Sequence, residues 1–186
     1  MKISFELGES DLEHFREVMA SARQASSELT VRQIVDNARE LLSKVNRSET
    51  CSFIRDRMNE LDTLIGMVMD DGWGLEEEDR KRVVDALAYF SEAEDLIPDD
   101  IPGLGFLDDA IMIELVNEEL KHEIQAYRDF VIFRAAETSR LGADASAPEK
   151  EDWLEQRRQQ LHSRMRRRRR RSRRGGGGER SPFSLL

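Results

Sequence analysis

With one cysteine, Cys51, the chain can form no internal disulfide and no cysteine-built zinc site. A lone thiol suits a reducing cytoplasm and reads as a small core filler rather than a nucleophile. Long apolar runs are also missing: the longest uninterrupted apolar-or-glycine stretch is Leu64–Met69, far short of the roughly 20 residues a membrane-spanning helix needs. The N-terminus, MKISFELGES, carries a lone Lys2 and then acidic residues, without the apolar centre of a secretory leader. Motifs of nucleophilic catalysis and phosphate cradling are absent as well. There is no Gly-x-Ser-x-Gly, no cysteine with an evident histidine partner, and no glycine-rich loop leading into Lys-Ser/Thr. The tetraglycine at 175–178 follows arginines, not a strand, and reads as a spacer.

What remains is charge and helical periodicity. Hydrophobic residues make up 39% and charged residues 36% of the 186, which suits one domain of exposed, charge-covered helices. Ser10-Asp11-Leu12-Glu13 has the capping-box form and predicts a helix start, with Leu12, Phe15, Val18 and Met19 on its buried side. Thr30-Val31-Arg32-Gln33 repeats the device ahead of Ile34, Val35, Ala38, Leu41, Leu42 and Val45. A third helix is expected from Ser48 or Thr50, ended by Gly72 and Gly74. The acidic run Glu76–Asp79 opens a fourth, where negative charge complements the helix dipole. From Asp108 to Leu141 the periodicity predicts one long helix, and residues 2–7 alternate like a short extended arm.

Between the fourth helix and the long one lies DLIPDDIPGLGFLDDA, Asp95 to Ala110. Pro98 and Pro102 block helix continuation, and Gly103 and Gly105 allow a tight reversal. This stretch resembles the signature of the YkvA-like family, bacterial helical proteins of unknown function, with the likeness running from about Val83 to Arg134. Asp95, Pro98, Asp99, Pro102, Gly105, Asp108 and Asp109 carry it. The resemblance implies a helical fold and transfers no catalytic role. Some relatives carry long apolar segments after the motif, whereas here Glu114, Asn117, Glu118 and Glu119 interrupt that region.

Two groups are candidate metal ligands. Asp95, Asp99, Asp100, Asp108 and Asp109 offer oxygen donors of the kind Mg²⁺ and Ca²⁺ prefer, although aspartates beside prolines and glycines ordinarily cap helices and make turns. Glu119-x-x-His122 has the form used by di-iron bundles, with Glu114 and Glu118 stepping toward His122, but no second such motif exists, because His14 and His162 do not supply one. The bland alternative is a solvated helix face. No cofactor is implied.

The charge is divided unevenly. Residues 1–156 hold 17 Lys+Arg against 37 Asp+Glu, whereas residues 157–186 hold 12 Arg against one Glu. Nine arginines crowd positions 164–174: Arg164, Arg166, Arg167, Arg168, Arg169, Arg170, Arg171, Arg173 and Arg174. Such a run repels itself until an anion arrives. RNA or DNA phosphates, an anionic membrane surface and the acidic body are the available counter-charges, and Trp153, Leu154 and Leu161 offer a shallow apolar anchor for the membrane case. Aromatic residues do not interleave the run, so nucleic-acid binding is expected to ignore sequence.

The expectation is an all-α protein, a small bundle of four to five helices with a Pro/Gly signature loop and a disordered basic C-terminal tail. Residues 1–142 would form the helical domain and 143–152 a linker. Residues 153–174 would be a weak amphipathic helix running into the arginines, and 175–186 a disordered end. The expected role is a non-enzymatic interaction module tethered to a polyanion, cytoplasmic or peripheral at the inner face of the membrane, with a protein partner or self-association through the helical body. The alternatives are a divalent-metal protein or enzyme on the signature carboxylates, and a peripheral membrane protein.

Overall fold

A computed structural model describes residues 8–91, 97, 101, 104–141 and 147–175. Among these residues every regular element is helical. Seven α-helices are present: α1 (Glu9–Ala25), α2 (Val31–Arg47), α3 (Ser52–Met69), α4 (Glu77–Leu87), α5 (Leu107–Glu119), α6 (Lys121–Leu141) and α7 (Ala147–Gly175). Short 3-10 turns follow α1 at Ser26–Glu28 and α4 at Ala88–Ser91. The all-α class stands, but four to five helices is an undercount. The extended arm at 2–7, most of the Pro/Gly loop and the end beyond 175 lie outside the described residues.

Local chemistry explains where the helices begin. At α2 the expected capping box forms: the Gln33 N–H donates to Thr30 Oγ1 at 3.3 Å, and the Thr30 N–H donates to Gln33 Oε1 at 2.9 Å. At α1 the start falls two residues before the serine, because Gly8 is the N-cap and its N–H reaches Asp11 Oδ2 at 2.8 Å. Cys51 is the N-cap of α3 and is exposed, so it fills no core.

The expected long helix is instead two. It breaks at Leu120, whose side chain is fully buried and whose backbone (φ −100, ψ 13) leaves the helical region. Arg82 on α4 spans this corner, binding Glu119 Oε1 at the end of α5 at 3.2 Å and Glu123 Oε1 in the first turn of α6. One guanidinium held by both sides of a bend supports the turn that periodicity alone does not show.

The second correction concerns the C-terminal arginines. They are not a disordered tail: α7 continues through them to Gly175 and packs along α6. Arginine is a good helix former, and Leu161 and Met165, each 1% exposed, seat the helix in the common core.

The turn between α3 and α4 carries the piece that joins α6 and α7 to the rest. Trp73 is completely buried there, with ring centroids 5.8 Å from Tyr127, 5.2 Å from Phe130 and 4.3 Å edge-on from His162. Asp70 fixes the turn. Its carboxylate accepts from Arg134 at 2.8 and 2.7 Å, from the Trp73 N–H at 3.3 Å and from the Tyr127 hydroxyl at 3.3 Å. Burial pushes the Asp70 carboxyl upward, and the Arg134 contacts outweigh it, leaving its pKa below the usual carboxylate value. Gly74 closes the turn at φ +53, a left-handed conformation that disfavours a side chain. Gly74→Ala should therefore cost about 1–2 kcal/mol, checked by the urea midpoint.

Candidate functional site

At 3.6 residues per turn, the arginine end of α7 splits into two faces. Arg158, Leu161, His162, Met165, Arg169 and Ser172 recur at three- and four-residue steps on the side against the body. Ser163, Arg167, Arg170 and Arg171 lie on the opposite side and are exposed. The nine arginines are therefore not equivalent.

The inward ones have partners. Arg169 inserts between α4 and α6, where its Nη1 donates to Asp79 Oδ1 and, at 3.0 Å, to Glu123 Oε1. The Glu123 side chain is wholly buried, that of Asp79 is 3% exposed, and Arg82 completes the cluster from α4. Glu123 Oε2 has no hydrogen-bond partner among the described residues. Burial works against the Arg169 charge, but its hydrogen bonds to Asp79 and Glu123 outweigh this and raise its pKa. Nearer the rim, Arg166 pairs with Glu76 at 2.5 Å and Arg164 with Asp129 at 3.8 Å. The acidic body thus supplies counter-charge to part of the run.

The outward ones are the candidate site. Arg167, Arg168, Arg170 and Arg171 are exposed and make no ion pair within 4.0 Å among the described residues. With Ser163 and the edge of Arg166, three of them line an open groove along α7. The side chains of Arg173 and Arg174 lie outside the described residues.

Two histidines sit in the α7 seam. His162 is 5% exposed, edge-on to Trp73, and its Nε2 has no hydrogen-bond partner among the described residues. Burial lowers its pKa, and Arg166 lowers it further against the pull of Glu76. His122 Nε2 lies 2.9 Å from Ser172 Oγ. Burial lowers its pKa too, opposed by Glu123 and assisted by Lys121, Arg168 and Arg169.

Among the described residues the metal candidates do not gather at one point. The Leu120 break puts Glu119 and His122 on different helices: Glu119 binds Arg82, and His122 faces α7. Glu114 takes Arg57 at 2.9 Å and Glu118 takes Lys121 at 3.1 Å. Asp108 and Asp109 are buried in the first turn of α5, and Asp108 Oδ2 accepts the Ile97 N–H at 3.0 Å, tying the signature loop to the helix start. Its N-cap, Phe106, holds a left-handed φ of 65 with its ring buried. Asp95 and Asp99 lie outside the described residues. Among the described residues no group of three or more His, Cys, Asp or Glu is placed to hold a metal ion.

The stretch that a family comparison picks out runs from Arg82, within α4, into α5, and holds the Asp108 carboxylate that accepts the Ile97 N–H. Residues 82–115 match the model of a family described as protein of unknown function (DUF1232). Over these residues the chain is similar to that family, which bears out the YkvA-like resemblance for this stretch. No curated protein and no solved structure matches the chain. The YkvA-like match ends within α5, so α6 and the arginine helix fall outside it. Inside it, the family segment supplies Arg82, whose bonds to Glu119 and Glu123 reach beyond the matched residues.

Sequence reasoning singled out the arginine run but missed Trp73, His162, Asp79, Glu123 and Arg82. A signal existed for His162: it sits beside Leu161 and three residues before Met165, on the stripe that must face the core. For Arg82, Asp79 and Glu123 no local signal exists, since their pairing spans separations of 41 to 90 residues.

Proposed function

We propose that this YkvA-like protein is a non-enzymatic binding module whose α7 presents an arginine strip to the phosphates of duplex nucleic acid, without sequence preference. The observation that carries this reading is the division of α7, which leaves Arg167, Arg168, Arg170 and Arg171 exposed and unpaired among the described residues while the other face is used internally. A preformed helix loses little conformational entropy on meeting its ligand.

Two features favour duplex phosphates over other polyanions. Leu161 is buried and Leu154 packs against the core, so the apolar residues needed for lipid insertion are already engaged within the protein. Trp153, half exposed, stands 14 positions before Arg167, roughly 21 Å along the axis, and its ring is covered by Arg140 at 5.0 Å. Stacking on unpaired bases therefore has no aromatic platform beside the strip among the described residues.

The test is the salt dependence of the full chain on a 20-bp duplex, read by anisotropy. Four phosphate contacts predict a log–log slope of about −4, against about −8 if all nine arginines engaged. The triple variant Arg167→Glu, Arg170→Glu, Arg171→Glu should lose binding while keeping the urea midpoint. A flat salt response, or tighter attachment to phosphatidylserine vesicles than to duplex, would overturn the assignment.

A further inference from the structure

We propose that mild acid undocks the arginine end of α7 and so enlarges the anion-binding surface; this rests on the polyanion reading above and adds its regulation. The geometry is a seam closed over the His162 imidazole and edged by the half-buried His122. His162 is buried edge-on against Trp73 with Nε2 unpartnered among the described residues, and His122 meets Ser172 at 2.9 Å across the same seam. Among the described residues no carboxylate bonds either ring, and the buried His162 would require one as an imidazolium.

The charges facing each ring are mixed, with arginine prominent. Around His162, α7 contributes Arg158 and Arg166, while the turn before α4 and α4 itself contribute Glu76 and Asp79. Glu76 is taken by Arg166 and Asp79 by Arg169, and on the α6 side Asp129 is taken by Arg164. Around His122, α6 contributes Lys121 and Glu123, α7 contributes Arg168 and Arg169, and Glu118 on α5 is taken by Lys121. The neighbouring carboxylates are thus engaged by arginine or lysine, and protonation adds a cation to a seam already crowded with guanidinium groups.

The sign follows from linkage. Both histidines have pKa values below the ordinary 6.5 when α7 is docked and regain it when α7 leaves. Docking is therefore at full strength above about pH 6.5 and weakens as pH falls toward the depressed values, by up to tenfold per pH unit for each histidine. Ordinary carboxylates titrate lower, near pH 4, so the window belongs to the imidazoles. Release turns Arg164, Arg166 and Arg169 outward, raising the available arginines from four to seven.

The experiment uses the full chain carrying Trp153→Phe, so that Trp73 is the sole indole. Trp73 emission is followed from pH 8 to 5, and the duplex salt slope is measured at both ends. The expected result is a Trp73 transition with its midpoint below 6.5, absent in His162→Gln, and a slope that steepens from about −4 to about −6 as contacts rise from four to seven. An unchanged Trp73 signal down to pH 5, or the same transition in His162→Gln, would overturn the switch. Duplex binding at neutral pH with an unaltered slope at pH 5 would also reject it and leave the polyanion reading standing. A His162-dependent transition without duplex binding at either pH would reject the polyanion reading and support acid undocking.

Discussion

Arg169→Met is expected to lower unfolding stability by about 3–5 kcal/mol, the usual consequence of removing one partner from a buried ion pair. The substitution keeps the aliphatic stem and deletes the charge. Asp79 and Glu123 are then left almost completely buried, with Arg82 as the remaining cation of the cluster already shared with Glu119. The control is Arg170→Met, one position away on the exposed face, which should change stability by no more than about 0.5 kcal/mol. Urea midpoints of the two variants make the comparison. A cycle combining Arg169→Met with Glu123→Gln isolates the coupling, because the glutamine no longer demands a cation. Equal effects of Arg169 and Arg170 would mean that α7 does not dock in this register.

Trp73→Ala should be comparably damaging, about 3–5 kcal/mol. The ring is fully buried and touches Tyr127 and Phe130 on α6 and His162 on α7, so its loss opens a cavity where the two helices meet the α3–α4 turn. A second readout tests the contact itself. Water admitted beside His162 relieves the burial that depresses its pKa, so the imidazole should titrate closer to 6.5 in the variant, as followed by its ring-proton shifts in NMR. A destabilised protein with an unmoved His162 titration would place that histidine elsewhere.

What could be read in advance was what is written locally. The Thr30–Gln33 box lies within four residues and forms as expected. The α1 start shifted because Asp11 caps backward to Gly8, an alternative the same residues allow. The α5–α6 corner was invisible because Leu120 is neither proline nor glycine, and what bridges it, Arg82, comes from another helix. The acidic body was legible as one counter-charge for the arginine run, but which arginine meets which carboxylate, 46 and 90 residues away, is information no window contains. Trp73, flanked by two glycines, resembled part of a helix stop, yet it is the contact around which the last two helices gather.

The docked register of α7 has one more implication, for changes in chain length. Residues 166–171 are six identical side chains in a row, so adding or deleting one arginine there still delivers a guanidinium to the carboxylates of α4 and α6. Leu161 and Met165 lie upstream and stay in place; the visible alterations are the loss of Ser172 from His122 and, on deletion, a serine in place of Arg171 on the exposed strip. Homopolymer slippage, which would ruin most helices at a buried ionic contact, leaves this contact in place.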